Sequence, residues 1–410
     1  MPKTAVILYR MRAVSLKDLS WDLARAKAIP ELPKGRRARH LDELVSEIAR
    51  SSSAIGQSVE LNWRDILAMR LPKPGSSQAG ICHKPSQVSF NGSCRLIRAY
   101  DGWVALNLPR PSDICSIEAL TERNGCYAGT DGSDPRSHIK DPWCRLVPWI
   151  SRKGAREVVD RARLLGLAAA VLNEAVANPL YHPKSTLMWS PLEPRPLEEI
   201  SAVDLSAMWA GPLAALVLYK SGATVTKVET TTRPDGARSI PEFYYQLHPP
   251  NQPGLTVDLA SSGDLADLRH ILEEADVIIE ASRPRALKQL SLDPRSLRSR
   301  PGRVWLSITG YGRCEPGGNW IAFGDDAAVA GGLVSFAQEG APVFCGDAIA
   351  DPITGLFGAA AVMQSLLGGG GHLIDLSMAG CAASISGAST LPSALIADRL
   401  PRRSPPAIMP

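Results

Sequence analysis

The rhythm of the second half constrains this chain more than any other feature. SAVDLS, ATVTKVE, LTVDLAS, DVIIEAS and RVWLSITGYG are short and largely apolar, and helical stretches run between them: an Ala/Leu-rich segment opened by Gly211-Pro212, and GDLADLRHILEEA. A strand that alternates apolar and polar residues has one wet face, whereas a strand apolar at most positions is covered on both. Strands of the second kind, separated by helices, predict an α/β fold with a doubly wound, mostly parallel sheet, a Rossmann-like large domain. The helix ITGLFGAAAVMQSLL, a glycine turn and the strand HLIDLSM close it.

The first half has a different texture. CRLIRAYDGWVALNL carries two β-rich halves around Asp101-Gly102, a pair that readily adopts the positive φ angles of a tight hairpin. Helical patterns follow at SDICSIEALTERNG and AREVVDRARLLGL, so residues 91–190 read as a smaller α+β module placed N-terminal to the large domain. Residues 1–90 read as helical pieces and loops, with an apolar stripe in LDELVSEIAR and a turn-rich LPKPGSSQAG. The basic run from Lys34 to His40 has no interleaved aromatics and reads as a solvated connector. A Pro-rich connector, SPLEPRPLEEI, leads into the large domain at 197–390, and 391–410 is a Pro-rich tail.

Composition removes several classes of function. A formal charge of +4 over 410 residues gives no electrostatic footprint of a nucleic-acid binder. The eight cysteines contain no C-x-x-C pair and no Cys/His spacing typical of zinc, so reduced thiols and no metal are expected. The amino terminus lacks a signal-peptide core and no later stretch offers a membrane span, so a cytoplasmic chain is the expectation.

A doubly wound sheet invites a dinucleotide, but the G-x-G-x-x-G turn is absent after the first strand, and Gly310-Tyr311-Gly312 follows a late strand without a third glycine. A nicotinamide or flavin enzyme is therefore disfavoured. Asp351 opens D-P-I-T-G, where Asp before Pro makes a good helix N-cap; a helix amino terminus also keeps a carboxylate ionised for chemistry, and the two readings are compatible. Asp347 lies four residues earlier as a reserve carboxylate. Asp325 and Asp326 are either an acid/base pair or caps of the helix that follows. Lys227, Arg233, Arg238, Arg283, Arg285 and Lys288 cluster beside predicted strand ends, where an open α/β sheet receives ligands and a polyphosphate would find them. The run Gly368 to Gly371 reads as a helix cap and turn.

The ordered series VDLSAMWAGPLAALVLYKSGATVTKVE, LTVDLAS, ADVIIEASRPRAL, RVWLSITGYG and GDAIADPITGLFGAAAVM resembles the large domain of the family III CoA-transferases, the CaiB/BaiF type that includes formyl-CoA and carnitine CoA-transferases and α-methylacyl-CoA racemases. The resemblance implies transfer of coenzyme A from an acyl-CoA thioester to a carboxylic acid, with Asp351 of DPITG as the nucleophile that carries a covalent aspartyl intermediate. Asp347, Asp325 and Asp326 are its reserve or accessory acids. It implies a CoA site at Met208, Trp209, Arg233, Arg238, Ser282, Arg283 and Lys288. Coenzyme A and acyl-CoA are then substrates, with no cofactor bound permanently, and the partners are acyl-CoA and carboxylic acids, no nucleic acid and no membrane, with a homodimer as a further implication.

The segment order departs from the family, because the stretch resembling its small domain precedes the large one. The racemases resemble G-H-D where this chain has Gly324-Asp325-Asp326, so their histidine is missing. An acyl-CoA racemase or isomerase and a non-catalytic CoA-binding subunit remain the alternatives.

Overall fold

The computed structural model describes residues 33–70, 86–122, 141–175 and 184–387. LPKPGSSQAG, the tail 391–410, the amino terminus, Cys82 and Cys126 lie outside these residues.

The chain enters through helices α1 (Arg36–Ile55) and α2 (Trp63–Leu67). A three-stranded antiparallel sheet follows, built from β1 (Cys94–Arg98), β2 (Trp103–Asn107) and β3 (Ala168–Val171) in the order β1-β2-β3, with α3 (Pro111–Cys115), α4 (Ile117–Thr121), α5 (Trp143–Ile150) and α6 (Ala155–Leu164) between β2 and β3. β4 (Lys184–Leu187), β5 (Ser201–Asp204), α7 (Ala210–Lys220), β6 (Thr224–Thr230), α8 (Pro241–Leu247), β7 (Gly254–Val257), α9 (Ser262–Glu274), β8 (Val277–Glu280), α10 (Pro284–Gln289) and β9 (Val304–Thr309) come next. α11 (Gly324–Ala330), the small ribbon of β10 (Val334–Phe336) and β11 (Pro342–Phe344), α12 (Ala350–Leu367), β12 (His372–Ser377) and α13 (Met378–Ser386) complete the described chain.

The large sheet has seven strands in the order β4-β12-β9-β8-β5-β6-β7, all parallel except β4, which pairs antiparallel with β12. The chain winds outward from β5 in both directions, so the connections that leave β5 and β8 run to opposite sides of the sheet, the topological switch point where such sheets receive ligands. The strands expected from sequence between 197 and 385 are all present. β4 is different: KSTL is exposed along its length and carries no apolar pattern, so only its pairing with β12 defines it.

Close approach of α7 and α12 explains the glycine in DPITG. A Cβ at Gly355 would lie 2.6 Å from the Ala210 carbonyl oxygen and 2.9 Å from Leu213 Cβ, distances no side chain tolerates. The glycine run after α12 likewise forms the expected cap and turn. Gly369, Gly370 and Gly371 all take positive φ, and a Cβ at Gly369 would lie 1.9 Å from the Leu192 carbonyl.

Two expectations change. The hairpin at 94–107 is present with Arg98 opposite Trp103, but neither Asp101 nor Gly102 has a positive φ. Four residues link the strands, and the Asp101 carboxylate accepts the Ala155 amide at 2.7 Å, capping α6. The basic run at Lys34–His40 is no solvated connector. Its residues open α1, His40 is buried, and Arg37 donates to the Val334 carbonyl at 2.9 Å.

Strand periodicity sends the two faces of the small sheet to different places. Ile97, Val104, Leu106 and Ala169 pack under the module's own helices, whereas Leu96, Ala105 and Ala170 pack against Val329, Ala330 and Phe344. Asn107 shares the second face with Ala105 and so points toward α11. Helix α1 joins the main core through Leu41, Leu44 and Ile48, and Gln364 of α12 donates to Glu47 at 3.1 Å.

Candidate active site

α12 begins at Ala350, with Ile349 as its N-cap, so Asp351 lies in the first turn rather than at the capping position expected for it. The loop before it turns sharply, with φ of 73° at Gly346 and 43° at Ala348. The Asp351 amide donates to the Ala348 carbonyl at 2.9 Å, and among the described residues its carboxylate makes no hydrogen bond. The side chain is partly exposed. Burial of its surroundings pushes its pKa up, Arg70 opposes that, and the charges of Asp326 and Asp347 add to it, giving about 7.

Three further carboxylates face the same place. Asp325 Oδ1 accepts the Ala348 amide at 3.0 Å, which ties α11 to the loop before α12. Burial and the charge of Asp347 raise its pKa well above the usual carboxylate range. Asp326 accepts the Phe323 amide at 3.1 Å, the backward half of a capping box, and the Asn107 side-chain amide at 2.9 Å. Burial outweighs these donors and lifts Asp326 to about 7, while its Oδ2 is buried without a partner among the described residues. Asp347 is paired with Arg70, whose Nε lies 3.2 Å from Oδ2.

Arg70 and Asn107 are the residues sequence reasoning missed. Arg70 follows α2, and its guanidinium lies 5.6 Å from the Trp209 ring centroid and 5.8 Å from that of Phe243. Trp209 and Phe243 meet edge to face at 5.0 Å. No spacing rule links Arg70 to DPITG, and Asn107 reaches Asp326 only because of the register of β2. The structure thus brings Asp351, Asp347, Asp325 and Asp326 together.

The expected CoA contacts divide. Arg283, at the start of α10, has its pKa lowered by partial burial and by the like charges of Arg285, Arg110 and Arg233. These four guanidiniums from three separate segments form an electropositive edge, and Arg110 again belongs to the small module. Met208 is partly exposed in the loop after β5, in a left-handed conformation, and its amide donates to Asp235 at 2.9 Å. The Ser282 amide donates to Glu280 at 2.7 Å in the corresponding loop after β8, and Lys288 is exposed. Two members are committed elsewhere. Trp209 is 1% exposed and packs in the core, and Arg238 pairs with Glu229 at 2.9 Å and stacks on Tyr244.

Lys227 also differs from its expected place beside a phosphate. It is buried, with Nζ 3.3 Å from Asp204, 3.4 Å from Asp235, and donating to the Ser206 carbonyl. Asp204 and Asp235 in turn receive the amides of Ser206, Met208 and Ala237, so this network fixes the loop after β5. No group of His, Cys, Asp and Glu among the described residues has the arrangement of a metal site. No helix among them is long and apolar enough to cross a membrane.

Residues 197–408, just over half of the chain, match the model of CoA-transferase family III. A succinate–glutarate CoA-transferase of Agrobacterium fabrum is 30% identical over 203 residues, 45% of this chain and 51% of that protein. A succinyl-CoA–D-citramalate CoA-transferase of Chloroflexus aurantiacus is 26% identical over 203 residues, 46% of this chain and 50% of that protein. A solved CAIB/BAIF family protein from Brucella suis shares 26% identity over 47% of this chain and 55% of that one, with a TM-score of 0.40. The chain thus spans about half the length of the curated relatives it matches. Because the family model matches residues 197–408, just over half of the chain, this chain belongs to CoA-transferase family III.

Proposed function

We propose that the chain transfers coenzyme A between carboxylic acids, with Asp351 as the covalent nucleophile. The supporting observation is the placement of Asp351: partly exposed in the first turn of α12, without a hydrogen bond to its carboxylate among the described residues, and titrating near neutrality. A capping carboxylate would be committed to backbone amides, whereas this one is available for attack.

In the proposed sequence an Asp351 oxygen attacks the thioester carbonyl, the C–S bond breaks, and CoA leaves as the thiolate from a mixed anhydride. The thiolate then attacks the aspartyl carbonyl, the donor acid leaves as its carboxylate, and Asp351 carries CoA as a thioester. The acceptor carboxylate attacks that thioester and expels the thiolate. Attack of the thiolate on the acceptor's acyl carbon releases the new acyl-CoA and the Asp351 carboxylate. The helix amino terminus favours negative charge on the free Asp351 carboxylate and on the oxyanions that form when its acyl carbon is attacked. The edge formed by Arg283, Arg285 and Arg233 supplies the donors that CoA phosphates require. Relatives named for succinyl-CoA, glutarate and citramalate support a carboxylic acid as acceptor.

The test is Asp351→Asn measured with a panel of acyl-CoA donors and acids. Transfer is expected to fall at least about a thousandfold while CoA binding stays within about threefold of the parent. Transfer at the parental rate in the variant rejects the reading, and CoA binding with no turnover in the parent favours a non-catalytic binding subunit.

A further inference from the structure

Arg70 lies outside residues 197–408 that match the family, yet its guanidinium reaches the loop that leads into α12. We propose that Arg70 is a positioning residue for the nucleophile: its guanidinium, seated on Trp209 and Phe243, holds Asp347 so that Asp351 meets substrate as a carboxylate. The inference rests on Asp351 being the nucleophile, and assigns to the N-terminal region a part in the same site.

The groups around the cluster show why one cation matters. Asp325 and Asp326 receive neutral donors, the amides of Ala348 and Phe323 and the side chain of Asn107. Cys94 of β1 faces both aspartates and is pushed up by burial and by their charges, which keeps it a thiol. Arg163 of α6 and Tyr311 after β9 are electrostatically coupled to Asp326, and Arg163 is already paired with Glu174 at 2.5 Å. The charged neighbours acting on Asp351 are Arg70, Asp326 and Asp347, and of these Arg70 is the cation.

The chemistry of the side chain fits the position. A guanidinium is planar and can lie against aromatic rings while its N–H edge pairs with a carboxylate. The Nε–Oδ2 distance of 3.2 Å and the two ring distances describe that arrangement. A lysine supplies the charge but not the stacked fork. Trp63, Ile66 and Leu67 of α2 are buried just before Arg70 and anchor it in the core.

The experiment uses the full chain and the variants Arg70→Met and Arg70→Lys, each checked for folding by circular dichroism. Labelling of Asp351 with a water-soluble carbodiimide and glycine ethyl ester, mapped by mass spectrometry across pH, reports its ionisation without requiring turnover. Acyl adduct formation at Asp351 is followed over the same pH range. In Arg70→Met the labelling midpoint is expected to move up by about one unit, with adduct formation about tenfold slower near pH 6.5 and recovering to within about threefold near pH 9. Arg70→Lys should fall between this variant and the parent, and carries the test alone if Arg70→Met does not fold. A parental midpoint in a folded variant, or a loss of adduct equal at every pH, overturns the proposal. A parent that labels with a shifted midpoint in the variants but forms no adduct at any pH would reject Asp351 as nucleophile and leave the electrostatic hold of Arg70 standing.

Discussion

Two charged clusters, one at the loop after β5 and one at the start of α12, are built on opposite principles. Around Lys227 one buried cation faces Asp204 and Asp235, and backbone amides of Ser206, Met208 and Ala237 supply further donors. Around Asp351 four carboxylates gather with Arg70 paired to one of them, and burial lifts Asp326 to about 7 against its hydrogen-bond donors and Asp351 to about 7 against the charge of Arg70. The first cluster is a support, with its polar groups committed to holding a loop. The second holds excess negative potential next to a partly exposed carboxylate, an arrangement that costs stability and suits a reactive group.

Breaking the supported cluster should give the largest stability change. Lys227→Met leaves two buried carboxylates facing no cation and is expected to lower unfolding free energy by about 3–5 kcal/mol, read by urea denaturation. A loss below about 1 kcal/mol would show that the amides alone suffice and would remove the contrast.

The aspartate cluster should respond in the opposite direction. Asp351 and Asp326 have folded-state values near 7, above the ordinary 3.8, so the folded chain holds these protons more tightly than the unfolded one. Their contribution is fully present below about pH 4, fades as pH rises through about 7, and is gone above about 8. Asp351→Asn is therefore expected to stabilise the protein by about 1–2 kcal/mol at about pH 8, with little change at about pH 4 and below, measured by thermal melts across pH. Destabilisation at pH 8 would mean that the carboxylate serves the fold after all.

A smaller effect sharpens the role of the small module. Asn107→Ala removes the amide from Asp326 across the contact between β2 and α11, and should cost about 1 kcal/mol of stability. It should also raise the pH at which Asp326 resists carbodiimide labelling, since the donor favours the ionised form. An unchanged labelling profile would detach the module from the site electrostatically.

The legible part of this molecule was the part dictated by burial. β5, β8 and β9 are apolar because helices cover both faces, and that pattern names the fold before any coordinate does. β3, Ala168–Val171, was not expected as a strand, since an alanine run following a helix carries no alternation. Asp351, Asp325, Asp326 and Asp347 were legible as candidate acids because two short segments of one domain carry them, and the Asp325 carboxylate ties those segments together through the Ala348 amide. Arg70 and Asn107 were not, because each reaches the cluster by tertiary packing that no local spacing encodes. Trp209 was assigned to ligand by the family resemblance and Lys227 by its place at a strand end, but both are buried, the one in the aromatic core and the other in the charge network that shapes the loop.

The most direct test of the central claim is chemical trapping on the parent protein. After incubation with acyl-CoA donors and then hydroxylamine, peptide mass spectrometry should find a hydroxamate at Asp351 with at least one donor that the protein turns over. Turnover of a donor with Asp351 unmodified, or a hydroxamate at Asp347 in its place, would contradict the account.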